Sequence, residues 1–252
     1  MSRLSLSRAS AMSFVTASAF VLAVAPLPLL AQQPQRQAQQ IEQQHVTGGN
    51  EGQGPLGWLT RSDAASDKHG DKHDWAKNDK HDDSRKSDTL AFAQTTPGFR
   101  ITTGPGTIFW HPDSVTSGQF TVESSIFLFP TKGRDREGYG LFIGGKNLDG
   151  PNQRYTYFLI RNDARFLVKQ RVGDNTIVLK DWTLLKEIKQ VLGKEAKQND
   201  IRIVVDAQSV TFSVNGTTAL SIPKSQIATD GIFGLRFNHA VNAHVVKVGR
   251  GS

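Results

Sequence analysis

Apolar and polar residues alternate with a period of two along most of residues 97–252. In residues 120–128 the positions of Phe120, Val122 and Ile126 fall on one face of a strand. Apolar residues also occupy every second position in seven further short runs. The pattern therefore predicts many strands separated by turn residues. This arrangement is typical of an all-β, two-sheet antiparallel sandwich. The further predicted strands lie at 139–144, 155–161, 165–172, 201–205, 210–214, 233–237 and 246–248.

Turn and breaker residues separate these strands. Asn162-Asp163 suits a turn, and Asn215-Gly216 is a strong signal for a tight hairpin. Thr217 completes an N-glycosylation triplet with that pair, but the hairpin alone accounts for it. Helical spacing of apolar residues occurs in 183–198, which predicts either one short amphipathic helix or a long crossing loop.

The first 31 residues resemble a processing signal. Arg3 and Arg8 precede an uncharged, mostly apolar stretch, and Ala31 is followed by a polar run. We therefore predict a secretory signal peptide cleaved after Ala31, with Ala25 as the alternative site, and a periplasmic or secreted protein. An uncleaved membrane anchor is the competing interpretation, although Ser, Thr and Pro interrupt the stretch. After cleavage we expect no transmembrane segment.

Residues 32–96 are predicted to form a disordered linker, because Gln-rich and Gly-rich runs bury too little apolar surface to fold. A repeated Asp-Lys-His pattern follows. Its imidazoles, His69, His73 and His81, suit Zn²⁺, Cu²⁺ or Ni²⁺, but the interleaved lysines disfavour a metal. We interpret the repeat as a charge-balanced spacer, in which Trp58 and Trp75 are isolated aromatic residues.

Charge and cysteine content narrow the range of functions. Residues 1–96 contain ten basic and ten acidic residues, whereas residues 97–252 contain 20 and 13, so the net charge of +7 belongs to the predicted sandwich. The basic residues are scattered rather than clustered, which argues against nucleic acid and favours an anionic surface polymer or a phospholipid headgroup. The partner we expect is a glycan or an anionic envelope polymer. The absence of cysteine from the sequence excludes disulfides, thiolate metal sites and a cysteine nucleophile.

Several segments together resemble the concanavalin A-like (laminin-G-like) jelly-roll domains of exported bacterial proteins. They are GQFTVESSIFLF at 118–129, YGLFIG at 139–144, YTYFLI at 155–160, DIRIVVDAQSVTFSVNG at 200–216 and GIFGLRFN at 231–238, followed by 244–248. Some domains of this shape are laminarinase-type glucanases, and others are of the 3-keto-disaccharide hydrolase type. The resemblance implies the fold over nearly all of residues 97–252.

The glucanase chemistry needs Glu-x-Asp-x-x-Glu on one strand, so that all three acids point into the same cleft. Glu123, Glu137, Glu187 and Glu195 all lack an aspartate two residues later, which contradicts that chemistry. The keto-sugar hydrolase type is matched in fold only, and fold alone does not establish an activity. Acids available to an enzyme include Glu123, Asp163 and Asp206, but no catalytic residue is assigned.

Candidate ligand-binding residues combine aromatic rings, which cover the apolar face of a sugar, with side chains that bind hydroxyl groups. The alternative interpretation is ordinary packing and solvation. Trp110 and His111 also lie near predicted strand ends. We expect the principal residues to line one groove if they share the concave surface: Tyr155, Tyr157, Arg161, Arg171, Trp182, Arg236, Asn238 and His239.

No cofactor is predicted. Polar loops at 135–137 and 147–152 carry oxygen ligands of the kind Ca²⁺ takes, with plain surface loops as the favoured alternative. His111, His239 and His244 are a weaker possibility for a three-imidazole metal site.

Three functions remain open at this stage. The favoured one is a non-enzymatic carbohydrate- or cell-envelope-binding module. The second is a hydrolase acting on a glycoside or a keto-sugar. The third is a structural domain that docks an envelope partner.

Overall fold

The computed structural model describes residues 55–63, 90–130 and 136–251. The predicted signal peptide and the Asp-Lys-His repeat, with His69, His73 and His81, lie outside the described residues. No helix within the described ranges is long and apolar enough to cross a membrane. Within these ranges the structure has fourteen strands and one 3-10 turn at Lys224–Gln226, so the all-β prediction is confirmed.

The strands form two antiparallel sheets of seven. The strands of the first sheet are β1 Leu59–Ser62, β4 Thr107–Thr116, β6 Tyr139–Lys146, β7 Arg154–Arg161, β8 Arg165–Val172, β9 Asn175–Leu184 and β13 Gly231–Phe237. Those of the second are β2 Ala91–Gln94, β3 Phe99–Thr102, β5 Phe120–Leu128, β10 Lys197–Val205, β11 Ser209–Val214, β12 Thr217–Pro223 and β14 Asn242–Arg250. The first sheet has the order β1-β4-β13-β6-β7-β8-β9, and the second has the order β12-β11-β10-β5-β14-β3-β2.

The main core lies between the sheets. Alternate residues of each strand point inward, as the period of two requires. Leu235 of β13 and Ile203 of β10 are fully buried there. The aromatic members of the core are Phe92, Phe99, Phe109, Tyr139, Phe158, Phe166, Phe212, Phe233 and Phe237.

The predicted hairpin at Asn215-Gly216 is confirmed. Both residues have positive φ, 51° and 84°, as a type I′ turn requires. The Asn215 amide is fully engaged, because it accepts from the Asp200 N–H and donates to the Glu187 carbonyl and to Asn199 Oδ1. The asparagine therefore anchors the turn.

The region at 183–198 contains no helix in the described structure; the alternative of a crossing loop is correct. Strand β9 continues to Leu184, and β10 begins at Lys197. Ile188 and Val191 are buried between them, and the Asn162 side chain bonds to both backbone groups of Val191. The apolar spacing therefore marks the contact points of a loop against the end of the core.

Two strands, β1 and β2, lie within the range predicted to be a linker, so the folded region begins before residue 97. Trp58, which the sequence presents as an isolated aromatic residue, packs with its ring centroid 5.1 Å from that of Phe99 and 6.0 Å from that of Phe92. Four-residue strands are too short to show a period. The partner of β1 is also distant in the sequence, since Leu59 lies opposite Trp110.

Candidate ligand-binding face

A second apolar cluster covers the outer face, which we define as the surface of the first sheet that points away from the second sheet. Antiparallel sheets of sandwiches usually leave this surface to water. Here Tyr157 lies opposite Phe142, and Leu159 lies opposite Leu167, with all four side chains buried. The cluster comprises Ile108, Trp110, Phe142, Leu148, Tyr155, Tyr157, Leu159 and Leu167, with Trp182 and Ile232 packed against it.

An ion pair stands at the centre of the outer face. Leu235 points into the core, so its neighbour Arg236 points outward. Arg236 donates from Nη2 to Asp63 Oδ2 at 2.6 Å and from Nη1 to Asp63 Oδ1 at 3.3 Å. Nη1 also donates to the Tyr155 hydroxyl at 3.0 Å. The side chains of Arg236 and Asp63 are only 8% and 17% exposed, so this is a largely buried two-pronged contact of the kind arginine makes with carboxylates.

The backbone at the end of β1 places Asp63 in this position. The Asp63 N–H donates to the Gly106 carbonyl at 2.7 Å. A Cβ atom on Gly106 would lie 2.7 Å from Asp63 Oδ2, so a residue without a side chain lets the carboxylate approach the β4 end of the sheet. Glycine is needed here for close approach.

Burial and neighbouring charges determine the protonation states of Asp63, Tyr155 and Arg236. Burial opposes ionisation of Asp63, but the charge and hydrogen bonds of Arg236, together with the charges of Arg171 and His239, hold the pKa of Asp63 below its usual range. Burial raises the pKa of Tyr155. Burial also opposes the charge on Arg236, but Tyr155 and Asp63 together keep its pKa high. At neutral pH the centre therefore contains a carboxylate, a guanidinium and a neutral phenol.

Arg236 also lies over aromatic rings. Its guanidinium carbon is 5.2 Å from the Tyr157 ring centroid and 6.0 Å from that of Tyr155. The two tyrosine rings lie 5.7 Å apart and are tilted by 46°. Cation–π attraction thus adds to the ion pair in holding the arginine.

A second group of predicted residues meets at Trp182. Asp181 and Trp182 together face Leu167 across a register shift between β8 and β9, and such a bulge redirects a side chain. The Arg161 guanidinium lies 4.2 Å from the Trp182 ring centroid. Arg161 is itself fixed by Asp163, whose Oδ1 accepts from Nε at 2.6 Å.

Asn238 joins this group through Gly138. A Cβ atom on Gly138 would lie 3.1 Å from the Trp182 ring and 3.2 Å from Asn238 Nδ2. The Asn238 N–H donates to the Gly138 carbonyl at 2.8 Å. Gly138 therefore lets the indole and the amide lie close together.

The predicted residues thus share the outer face, but they differ in accessibility. Trp182 and Asn238 are half-buried, and His239 is exposed. Arg171 also donates to the Gly173 carbonyl at 2.6 Å, which ties it to the β8–β9 turn. The residues that form the buried floor are Tyr155, Tyr157, Arg161, Arg171 and Arg236.

Sequence reasoning missed Arg61 and Asp63. Both fall in the range predicted as a linker, where a single Arg-Ser-Asp triplet among many charged residues gives no signal. Arg61 lies opposite Ile108, and Ile108 lies opposite Arg236. Cross-strand partners point to the same face, so Arg61 belongs to the outer face.

The three histidines considered as a metal site do not meet. His111 lies near Trp58, with ring centroids 6.5 Å apart, whereas His244 is buried in the second sheet with Nε2 at 2.6 Å from the Pro97 carbonyl. Across 55–63, 90–130 and 136–251, no group of three or more His, Asp or Glu side chains is placed to hold a metal ion. Asp135 of the first candidate calcium loop lies outside the described residues. In the second, the Gly150 N–H donates to the Asn147 carbonyl at 3.1 Å.

The acids suggested for an enzyme lie in separate places. Glu123 pairs with Lys247 on the second sheet, Asp163 pairs with Arg161, and Asp206 accepts the N–H of Ser209 in the β10–β11 turn. Each acid is therefore engaged in a local contact.

A depression lies where the β7–β8 turn meets the crossing loop, beside Pro130, Leu192 and the Asp163 that holds Arg161. Its polar wall includes Asn162 and Gln190, and Gln190 Nε2 donates to the Asn162 carbonyl at 2.8 Å. The contacts of Asn162 serve to hold the loop, so this depression is a weaker candidate than the outer face.

Comparison with known proteins supports the fold. No protein-family model and no curated protein sequence matches the chain. The carbohydrate-binding module CBM66 from Bacillus subtilis is similar in structure, with 15% identity, a TM-score of 0.52, and coverage of 78% of this chain and 96% of that one. A GH16 protein of the Bacteroides ovatus mixed-linkage glucan locus has 8% identity, a TM-score of 0.48 and coverage of 77% and 94%.

Sheep galectin-11 has 9% identity, a TM-score of 0.41 and coverage of 54% of this chain and 92% of its own. The similarity to CBM66, at 15% identity, shows a shared fold and not a shared activity. Together with the two antiparallel sheets of seven strands, it shows that the chain is a concanavalin A-like jelly-roll sandwich, as the sequence predicts. The resemblance to the 3-keto-disaccharide hydrolase type stays a prediction.

Proposed function

We propose that the protein is a carbohydrate-binding module whose ligand lies on the outer face of the first sheet. The observation that carries the proposal is the convergence of Trp182, Arg161 and Asn238 with the buried Arg236–Tyr155 pair on one sheet surface. Sugar sites need an aromatic ring beside fixed polar groups, and this surface supplies both.

The accessible residues have distinct parts in this proposal. Trp182 offers its indole to the apolar face of a sugar ring, while Arg161 stacks at 4.2 Å and orients it. Asn238 and His239, at the end of β13, supply donors and acceptors for hydroxyl groups. The buried floor beneath them keeps these positions fixed, which lowers the entropy lost on binding.

The similarity in fold to a protein described as a carbohydrate-binding module is consistent with this proposal. It adds a reason to test sugars first but does not identify the sugar.

The test uses the full chain on a broad glycan array, followed by calorimetric titration of any glycan that binds. Trp182→Ala is expected to weaken binding by at least about tenfold, because stacking on an indole is lost. Ile177→Ala is the matched control on the same edge strand, since Ile177 is 49% exposed and its loss is expected to leave affinity unchanged. An array without any saturable binding contradicts the proposal.

We also propose that the protein acts in the periplasm or outside the cell. The support is the layout of residues 1–31, with a basic start, an apolar stretch and Ala31 before a polar run. Expression in a bacterium, followed by fractionation and mass measurement of the mature chain, tests this. A mature N-terminus at Gln32 is expected, and an intact chain in the cytoplasm would contradict the proposal.

A further inference from the structure

Two buried guanidinium nitrogens on the outer face lack a hydrogen-bond partner in the described part of the chain. They are Nη1 of Arg61 and Nε of Arg236, and the Arg236 residue is only 6% exposed. Buried donors of this kind are nearly always satisfied in folded proteins, because an unmade hydrogen bond is costly. Two such donors on arginines of the same cross-strand row can therefore serve one further acceptor.

The acceptor that this row suits is a carboxylate. Arg236 already holds one, since the two oxygens of Asp63 lie 2.6 Å and 3.3 Å from its Nη2 and Nη1. The planar fork of arginine matches a planar carboxylate, and two parallel hydrogen bonds give geometric specificity. Asp63 is thus an internal example of the group that this site binds.

Asp63 lies beyond the paired part of β1. The strand ends at Ser62, whereas Arg61 is paired with Ile108 of β4 inside it. Residues at the end of a short edge strand rearrange more easily than those of central strands. The Asp63 side chain can therefore turn out of the fork while β1 stays paired and Arg61 stays in place.

We propose, on the basis of the proposed function, that the ligand is an acidic sugar whose carboxylate binds between Arg61 and Arg236 and replaces Asp63. Exchange of one carboxylate for another leaves no buried charge unpaired, which avoids the large cost of an isolated buried ion. The incoming group also reaches Arg61 Nη1 and Arg236 Nε, which the Asp63 contact leaves unsatisfied. The site therefore favours uronate-containing glycans over neutral ones.

The experiment compares acids with their own neutral esters. The full chain is titrated by calorimetry with the uronate trisaccharides of galacturonate, mannuronate and glucuronate, and with the methyl ester of each. At least one acid is expected to bind about 10- to 100-fold more tightly than its ester, the range set by one or two charge-assisted hydrogen bonds. If sugars bind but none of the three acids binds more tightly than its own ester, the inference is overturned and sugar binding stands.

Failure of the two proposals can be distinguished. If neutral glycans bind but no uronate does, the acidic ligand is wrong while the carbohydrate-binding module stands. If neither the uronates nor the glycans of the array bind, the proposed function itself is wrong.

Two variants test the atoms involved. Arg61→Gln removes one predicted donor from the edge strand and is expected to reduce the preference for the acid over the ester about tenfold. Arg202→Gln, on the exposed side of β10, is the matched control and is expected to preserve that preference. Equal effects of the two variants would contradict a specific role for Arg61.

Asp63→Asn tests the replacement step. Asparagine keeps the shape of the side chain but competes less strongly for Arg236, so the acid is expected to bind more tightly than to the unmodified chain. Weaker binding of the acid to Asp63→Asn would show that the ligand needs the carboxylate in place, and the exchange would be wrong.

Discussion

The outward surfaces of the two sheets differ in how much apolar surface they bury. In the first sheet, β6 and β7 are buried at nearly every position, on both faces. In the second sheet, β10 and β12 alternate between buried or half-buried and exposed positions, and the outward cluster is small, with Phe127, Phe129 and Ala196. The second sheet thus comes closer than the first to the usual antiparallel sandwich with one solvated face. The larger buried layer on the first sheet is the floor of the ligand-binding face that we propose.

The ion pairs of the two surfaces show the same contrast. Glu123 and Lys247 on the second sheet have side chains that are 24% and 57% exposed. Asp63 and Arg236 on the first sheet are 17% and 8% exposed. Water screens the Glu123–Lys247 pair but largely not the Asp63–Arg236 pair. Loss of one partner therefore has very different consequences for stability in the two places.

The largest expected effect comes from removing the acid of each pair. Asp63→Ala leaves Arg236 buried without its counter-ion, so we expect a loss of about 3–5 kcal/mol in the free energy of unfolding. Glu123→Ala in the exposed pair is expected to cost less than about 1 kcal/mol. Urea unfolding of both variants measures the difference. Similar losses in the two variants would contradict the contrast between the surfaces.

A smaller effect is expected from single hydroxyl groups. The Tyr155 hydroxyl accepts a hydrogen bond from Arg236 in a buried setting, so Tyr155→Phe is expected to cost about 1–3 kcal/mol. The Thr211 hydroxyl meets Ser221 at 3.2 Å on the exposed side of the second sheet. Thr211→Val is expected to change stability by less than about 0.5 kcal/mol. Thermal unfolding compares the two variants. An unchanged stability of Tyr155→Phe would show that the Tyr155 hydroxyl does not stabilise the buried ion pair.

The smallest expected effect is on the pH dependence of stability, in which a residue of each sheet acts in a different pH range. Burial lowers the pKa of His244 in the second sheet, despite its bond to the Pro97 carbonyl. The unfolded chain therefore takes up a proton first, and stability is expected to fall as the pH drops below about 6.5. The pKa of Asp63 is also lowered, so its contribution is present above about pH 4 and is lost below it.

Urea unfolding of the unmodified chain and of His244→Asn across pH 4.5–7.5 tests whether His244 causes the expected decline in stability. The variant is expected to lose the decline below about pH 6.5. A decline that persists in His244→Asn would assign it to another group.

Part of this architecture follows from the sequence. Alternation in β7 and β13 places Tyr155, Tyr157 and Arg161 on one face and Arg236 on the corresponding face of another strand, and the antiparallel register then brings them to the same surface. The turn at Asn215-Gly216 follows from local conformational preference. These features depend on residues close together in the chain.

The remainder depends on contacts between distant residues. Asp63 meets Arg236 across 173 positions, and β1 is too short to show a period. The burial of Tyr157 follows from the packing of neighbouring strands, whereas its own strand predicts only which face it occupies. A single sequence shows which face a residue points to, but the residues that cover that face are set by sheet order.

The most direct test of the ligand face follows the tryptophan indole N–H resonances by NMR during titration with the tightest glycan found. Trp182 lies half-buried on the outer face, whereas Trp58 packs against the core between the sheets. The account predicts that the Trp182 resonance shifts in a saturable way while the Trp58 resonance stays in place. Calorimetric binding with an unmoved Trp182 resonance would contradict it.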